Sequence, residues 1–112
     1  MVVLMKIPTV SPPVQKVQNL LSGNVSPEGM VDRTLLEYVR LVAQHRAYIK
    51  THKDIVSPFL QSLDEKEEEL IGFEFSSDEI RAINGLIISS YPREVGLNGL
   101  ALSISQMLGS QK

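Results

Sequence analysis

The stretch Ser26–Ser57, SPEGMVDRTLLEYVRLVAQHRAYIKTHKDIVS, decides how the rest of the chain is arranged. Its apolar and histidine side chains recur at alternating steps of four and three residues, which is the spacing of a heptad-like seam on one face of a helix. The seam consists of Val31, Leu35, Tyr38, Val42, His45, Ile49, His52 and Val56. Polar side chains lie opposite it: Asp32, Arg33, Glu37, Arg40, Gln44, Arg46, Lys50 and Lys53. The pattern predicts one long amphipathic helix.

Serine-proline pairs mark both ends of this predicted helix. Ser26 suits the N-cap and Pro27 the first helical position, whereas Pro58 disfavours helical geometry at Ser57. About 30 residues at 1.5 Å per residue give a rod of roughly 45 Å. A compact chain of this length has a diameter of about 30 to 35 Å. We therefore expect either an elongated bundle or a seam that another chain covers in part.

The remaining segments also read as helices, apart from an extended arm over residues 1–10 and a tail over residues 110–112. Ser11 begins a short helix that ends at Gly23, and Ser57-Pro58 begins another that ends at Gly72. Ser76 and Glu79 have capping-box spacing and begin a helix that ends near Tyr91. A last helix covers Leu97–Leu108. The inward-facing candidates of these four helices are Val14, Val17, Leu20, Leu21, Phe59, Leu60, Leu63, Leu70, Ile71, Ile80, Ile83, Ile87, Leu97, Leu100, Ala101, Ile104, Met107 and Leu108. The predicted fold is all-α: an elongated helical bundle organised around one long central helix, with residues 11–109 as a single domain.

Two Asn-Gly pairs, Asn84-Gly85 and Asn98-Gly99, leave one ambiguity. Asn-Gly is a strong hairpin signal, but the cap before the first pair and the 3.6-residue spacing around both favour helix. Glycine inside a helix costs about 1 kcal/mol relative to alanine. That cost suggests that Gly85 and Gly99 allow helices to approach closely. The alternative is that the resemblance between the two short apolar pieces that contain these pairs, Ile83–Ser89 and Leu97–Ser103, is accidental.

Composition limits the classes of function. The chain has 112 residues, 43% of them apolar, a formal charge of −2 and no cysteine. It therefore has no thiolate metal site or cysteine nucleophile, and its charge gives no overall attraction to nucleic acid or anionic lipid. Patterns typical of a serine hydrolase or a phosphate-binding loop are absent from the sequence. We expect a soluble, cytoplasmic protein with no membrane contact and no cofactor.

His45 and His52 are the residues whose chemistry invites a functional role. They are seven residues apart, so about 10.5 Å separates their backbones on one helix, whereas two ligands of one metal on a helix are three or four residues apart. A shared ion is therefore not expected, and we interpret them as partly buried packing residues. If the seam pairs with a symmetry mate, each histidine becomes a pH-sensitive contact.

Charged residues form two blocks. Arg40, Arg46, Lys50 and Lys53 form a basic strip that could contact phosphates or an acidic partner. The run of residues 64–69 holds five acids and one lysine. Glu65, Glu68 and Glu69 recur at one-turn spacing, which resembles the carboxylates of helical metal-dependent pyrophosphohydrolases, but no following lysine and aspartate complete such a site. We interpret the run as a solvated face that can pair with the basic strip.

The sequence predicts a non-enzymatic protein-protein interaction or assembly module, acting through the long helix as a homo-oligomer or with another protein. An adaptor, a small chaperone, an inhibitor or a component of a larger complex would fit. The predicted interface residues are Val31, Leu35, Tyr38, Val42, His45, Ile49 and His52, the apolar ones being candidates for either interface or core. The alternative is a nucleic-acid-binding regulator that uses the basic strip, and a further alternative is a metal-dependent hydrolase that uses the acidic run.

Overall fold

The computed structural model describes residues 12–23, 27–53 and 55–109, and every regular element within these ranges is an α-helix. The five helices are α1 Pro12–Ser22, α2 Gly29–Thr51, α3 Leu60–Gly72, α4 Ser77–Ser90 and α5 Glu94–Gly109. The all-α class is confirmed, and the described helices form a compact bundle. The expected arm over 1–10, the tail over 110–112 and the caps at Ser11 and Ser26 lie outside the described residues. Elongation of the bundle stays a prediction.

The core lies around α2, which packs against α3, α4 and α5, while α1 packs against α4. Each helix contributes the apolar side chains of one face, as its 3.6-residue spacing predicts. The fully enclosed members of this core are Val17, Leu20, Leu35, Leu36, Val39, Ala43, Leu70, Ile83, Ile87 and Ile104. The central helix of the sequence prediction is thus surrounded by other helices of the same chain.

Helix α2 is shorter than the sequence predicts, and both predicted ends are wrong. Glu28, the residue before it, has an extended backbone, and Gly29 has a φ of 73°, which glycine adopts without steric strain. Pro27 therefore precedes the cap instead of opening the first turn. At the other end, α2 stops at Thr51, six residues before Ser57.

Local contacts explain the early end of α2. The Thr51 hydroxyl donates to the backbone carbonyl of Tyr48 at 3.1 Å, and His52, at the C-cap, has φ −128° and ψ 63°. The backbone N–H of Ile55 then donates to the carbonyl of His52 and closes a turn that leads back towards α3. The 23 residues of α2 span about 35 Å, which matches the diameter of a compact domain of this size. Helix length therefore no longer requires a second chain to cover the seam.

Two helix boundaries follow the sequence signals closely. The hydroxyl of Ser76 accepts the backbone N–H of Glu79 at 3.1 Å, and the backbone N–H of Ser76 donates to the Glu79 carboxylate at 2.9 Å. This confirms the predicted capping box at the start of α4. Gly23, with a φ of 82°, ends α1 as predicted.

Helix α3 differs from its prediction in start and orientation. It begins at Leu60, because the Ser57 hydroxyl accepts the backbone N–H of Phe59 and holds residues 57–59 in a turn. Leu63 and Leu70 are buried as predicted, but Leu60 and Ile71 are exposed, so their inward assignment is wrong. At the C-terminus Phe75 donates its N–H to the carbonyl of Leu70, a Schellman arrangement that the sequence did not indicate.

Both Asn-Gly pairs lie inside helices, which confirms the helical interpretation. The expected close approach is wrong: a Cβ atom built on Gly85 or Gly99 would have no heavy atom within 4 Å. Both glycines are exposed. Each glycine therefore loses more backbone conformational entropy on folding than alanine would, and no close packing between helices compensates for this loss.

Replacing Gly85 or Gly99 by alanine is expected to raise the free energy of unfolding by about 0.5 to 1 kcal/mol each, because alanine fits the open space and restricts the unfolded chain. The two gains should add, since the sites are in different helices. Gly23→Ala is the matched control and should destabilise, because its φ of 82° strains an alanine. Urea denaturation of the three variants measures these effects, and a loss at Gly85 or Gly99 would contradict an open site.

Candidate interaction site

The structure divides the predicted interface residues between core and surface. Leu35, Tyr38 and Val42 are at most 2% exposed and belong to the core of this chain, so the core alternative describes them. Val31 is partly buried against that core. Ile49 is partly buried near the C-terminal end of α2. Of the two histidines, His45 is partly buried, whereas His52 is exposed.

His45 holds the turn that connects α2 to α3. Its Nδ1 lies 2.8 Å from the hydroxyl oxygen of Ser57, which is itself buried. Because that oxygen already accepts the backbone N–H of Phe59, the hydroxyl proton is free for a neutral His45 to accept. Burial, together with the positive charge of Arg46, lowers the pKa of His45 below the ordinary value of 6.5. The exposed His52 instead stacks on Tyr48, with ring centroids 4.1 Å apart.

The fold should lose stability when the pH falls below about 6.5, because the unfolded chain then binds a proton at His45 more readily than the folded chain. Above that pH the contribution of neutral His45 to the free energy of unfolding is fully present. Denaturation between about pH 7.5 and about pH 5.5 should show this loss in the native sequence and a smaller loss in His45→Gln. His52→Gln keeps the contact between His45 and Ser57 and should retain the native pH dependence. Equal pH dependence in both variants would contradict a role for His45.

One residue assigned to the polar face is in fact enclosed. Asp32 is 4% exposed; its carboxylate accepts the backbone N–H of Glu28 at 2.8 Å and forms an ion pair with Lys16 of α1 at 3.1 Å. Negative charge is favourable in the first turn of a helix. Asp32 thus ties α1 to the start of α2, and no sequence-local signal indicated this partner.

A cleft opens where the C-terminal half of α2 meets the end of α4 and the start of α5. It has a volume of about 240 Å³. Helix α2 supplies one wall, and the Tyr91-Pro92 segment after α4 supplies the other. The residues that line the cleft are Arg46, Ile49, Lys50, Ile88, Tyr91, Pro92 and Leu97. Five of them are apolar or aromatic, so the cleft offers apolar surface beside two cations.

The local sequence explains why this apolar surface remains open. Ile87 and Ile88 are consecutive, and consecutive positions on a helix face different directions. Ile87 fills the core, and Ile88 is left 43% exposed at the cleft. Val95, in the first turn of α5, is also strongly exposed. Exposed aliphatic side chains beside a concave surface are typical of interaction sites.

The two cations at the cleft have no partner within the described part of the chain. The side chains of Arg46 and Lys50 form neither an ion pair nor a hydrogen bond there. They are four residues apart on α2, so they project from successive turns of one face. The cleft therefore combines apolar walls with uncompensated positive charge, which favours an apolar partner that carries acidic groups.

The other two cations of the basic strip lie elsewhere. Arg40 donates to the hydroxyl of Ser105 at 3.4 Å, where α2 packs on α5. Lys53 is exposed and follows the end of α2. Of the four cations of the basic strip, only Arg46 and Lys50 line the cleft.

The acidic run is also divided by its contacts. Glu67 accepts the hydroxyl proton of Tyr38 at 3.1 Å, while Lys66 forms ion pairs with Glu37 at 2.6 Å and with Glu69 at 3.3 Å. Burial lowers the pKa of Lys66, but its bonds to the two carboxylates outweigh this effect and leave the pKa raised. Within residues 12–23, 27–53 and 55–109, no three histidines or acids are grouped so that they could hold a metal ion.

The amphipathic pattern of α2 indicates Arg46, Ile49 and Lys50, but it does not indicate the residues that α4 and α5 add to the cleft. Ile88 could have been flagged, because the inward assignment of Ile87 places its neighbour away from the core. Leu97 is buried as its apolar spacing predicts. Tyr91 and Pro92 had no such signal, since their place at the cleft depends on how α4 and α5 meet α2.

Among the described helices, none is both long and apolar enough to cross a membrane. Comparisons of the chain with protein-family models, with curated proteins and with solved structures gave no match.

Proposed function

We propose that this protein is a non-enzymatic protein-protein interaction or assembly module that receives an acidic, amphipathic segment in the cleft formed by α2, α4 and α5. The observation that carries the proposal is exposed apolar surface at Ile88 beside Arg46 and Lys50, two cations that form no ion pair with any described residue. Burial of the apolar surface would supply affinity. The cations would select acidic partners and speed association. An adaptor, a small chaperone, an inhibitor, a homo-oligomer or a component of a larger complex would all use such a site.

A designed helical peptide with leucine on one face and glutamate on the flanks tests the proposal, with a peptide that carries lysine for glutamate as its control. Fluorescence anisotropy should detect binding of the acidic peptide and much weaker binding of the basic one. Ile88→Glu and Lys50→Glu should weaken binding by about tenfold or more. Lys53→Glu is the matched control, because this exposed lysine lies outside the cleft, and it should bind as the native sequence does. Equal binding by all variants, or none by the native protein, would contradict the proposal.

Nucleic acid is the competing partner class, and the distribution of the cations argues against it. Phosphate contacts require several cations along one surface, whereas Arg40 and Lys53 lie apart from the cleft. The formal charge of −2 adds no attraction. Titration of a labelled duplex at two salt concentrations decides the matter: strong, salt-dependent binding that Arg46→Glu removes would favour the nucleic-acid function instead.

A further inference from the structure

We infer that the acidic segment which enters the cleft is the outward face of α3 from a second copy of this chain, so that the protein assembles with itself. This inference rests on the proposed function and names its partner. Two surfaces carry it, the cleft and the face of α3 that points away from the core.

Helix α3 presents a stripe of exposed residues along its outward face. Leu60, Asp64, Glu68 and Ile71 follow at steps of four, four and three residues, which places them on one side of the helix. All four are exposed, while Leu63 and Leu70 occupy the buried side. We call these four residues the α3 stripe. It has an aliphatic side chain at each end and two carboxylates between them.

The contacts of the acidic run single out the two carboxylates of the stripe. Glu65 accepts a hydrogen bond from Gln61, Glu67 accepts one from Tyr38, and Glu69 pairs with Lys66. Asp64 and Glu68 are the acids of the run that have no ion pair or hydrogen bond with any described side chain. Among the described residues, two acids of the run on α3 and the two cations at the cleft are thus without an ion pair.

The two unpaired sets match in spacing as well as in sign. Asp64 and Glu68 are four residues apart on α3, and Arg46 and Lys50 are four residues apart on α2, so each pair is separated by about 6 Å along its helix axis. Leu60 and Ile71 offer apolar groups to the walls near Ile88. No ion pair joins the two sets within one described chain, so their pairing requires two copies.

The geometry of such a contact limits the form of the assembly. The α3 stripe and the cleft are different surfaces, so a single contact between two copies leaves one cleft and one stripe free. Reciprocal exchange around a two-fold axis uses both and closes the assembly as a dimer, whereas a one-way contact continues to further copies. Because charges of exposed residues take part, added salt should weaken the association.

A charge-swap experiment with the full chain tests the inference. The cleft variant carries Arg46→Glu and Lys50→Glu, and the stripe variant carries Asp64→Lys and Glu68→Lys. Sedimentation equilibrium over a range of concentrations should show self-association of the native chain that is weakened by about tenfold or more in each variant alone. An equimolar mixture of the two variants should associate again, because each cleft then meets a stripe of opposite charge.

Circular dichroism first establishes that both variants keep the helical content of the native chain. A strictly monomeric native chain, variants that associate as the native chain does, or a mixture that stays monomeric would each overturn the inference. The stripe variant should still bind the designed acidic peptide, since its cleft is unchanged. If the native chain is monomeric but binds the peptide, the second copy is rejected as the partner and the proposed function stands. If the native chain neither self-associates nor binds the peptide, both the inference and the proposed function are rejected.

Discussion

Ile87→Ala is expected to lower the free energy of unfolding by about 2 to 5 kcal/mol, because the side chain is fully enclosed and its removal leaves a cavity as well as losing buried apolar surface. Domains of this size have a total stability of about 5 to 15 kcal/mol, so this single change consumes a large share of it. Urea denaturation monitored by circular dichroism measures the loss. An unchanged slope of the free energy of unfolding against urea concentration would show that stability has changed without a change in the surface exposed on unfolding.

Ile88→Ala is the matched control, because it removes the same side chain from the adjacent residue of α4. Ile88 is 43% exposed, so its truncation should cost less than about 1 kcal/mol. The same variant should weaken binding of the acidic peptide, whereas Ile87 does not line that cleft. Equal stability losses for Ile87→Ala and Ile88→Ala would contradict the orientation of α4.

The features that sequence predicted correctly depend on neighbours along the chain. Ser76 and Glu79 satisfy each other's backbone groups within one turn, so their spacing alone defines the start of α4. Ile80, Ile83 and Ile87 are buried as the helical period requires. In each case the partner lies within one helix or one face of it, where a one-dimensional pattern contains the relevant geometry.

The features that sequence missed depend on contacts between separate helices. Asp32 appeared to be a solvated acid because its partner Lys16 belongs to α1. Leu60 and Ile71 appeared to face inward because apolar character alone does not say which side of α3 meets α2. The chain reverses towards α3 directly after Thr51, where α2 ends. Pro58 indicates that the helix must end, but it places the end several residues too late.

The candidate site shows the same division. Arg46, Ile49 and Lys50 follow from the amphipathic pattern of α2. Ile88 and Pro92 join them only because α4 ends beside α2. Three further helices of the same chain bury Leu35, Tyr38 and Val42 of the seam, whereas His52 and Val56 at its C-terminal end are exposed. The surface that remains for a partner therefore lies where the ends of several helices meet. The periodic pattern of one helix does not predict how its end lies against its neighbours.

Tyr38→Phe is expected to lower the free energy of unfolding by about 1 to 3 kcal/mol, although it removes one oxygen atom. The hydroxyl of Tyr38 accepts a hydrogen bond from the side-chain amide of Asn84 at 2.6 Å and donates one to Glu67 at 3.1 Å. Phenylalanine leaves both partners without this contact in a partly buried environment, and an unsatisfied polar group costs more than the average hydrogen bond supplies. Urea denaturation measures the loss, with Tyr48→Phe as a control expected to change stability by less than about 0.5 kcal/mol.

The same network predicts a loss of stability in alkali. Burial, the bond to Glu67 and its charge raise the pKa of Tyr38 from 10.0 to about 12, although the bond from Asn84 acts in the opposite direction. Between these two pH values the unfolded chain has lost the phenolic proton and the folded chain has kept it, so stability is full below about pH 10 and falls as the pH rises towards 12. Tyrosinate absorbance should show a late ionisation in the native protein that is missing in Tyr38→Phe. If Tyr38→Phe instead removed an ionisation near pH 10, the enclosure of Tyr38 would be contradicted.

A double-mutant cycle separates the hydrogen bond from the general cost of altering the core. Asn84→Ala removes the amide that donates to Tyr38, and also its bond to the backbone carbonyl of Ile80. If the two side chains act through their mutual bond, the double variant should be more stable than the sum of the single losses predicts, by about 0.5 to 3 kcal/mol. Strict additivity would mean that the bond between Tyr38 and Asn84 contributes nothing to stability. A coupling would instead show that the hydroxyl joins α2 to α4 through Asn84. The same hydroxyl also donates to Glu67 of α3, the helix that carries the α3 stripe.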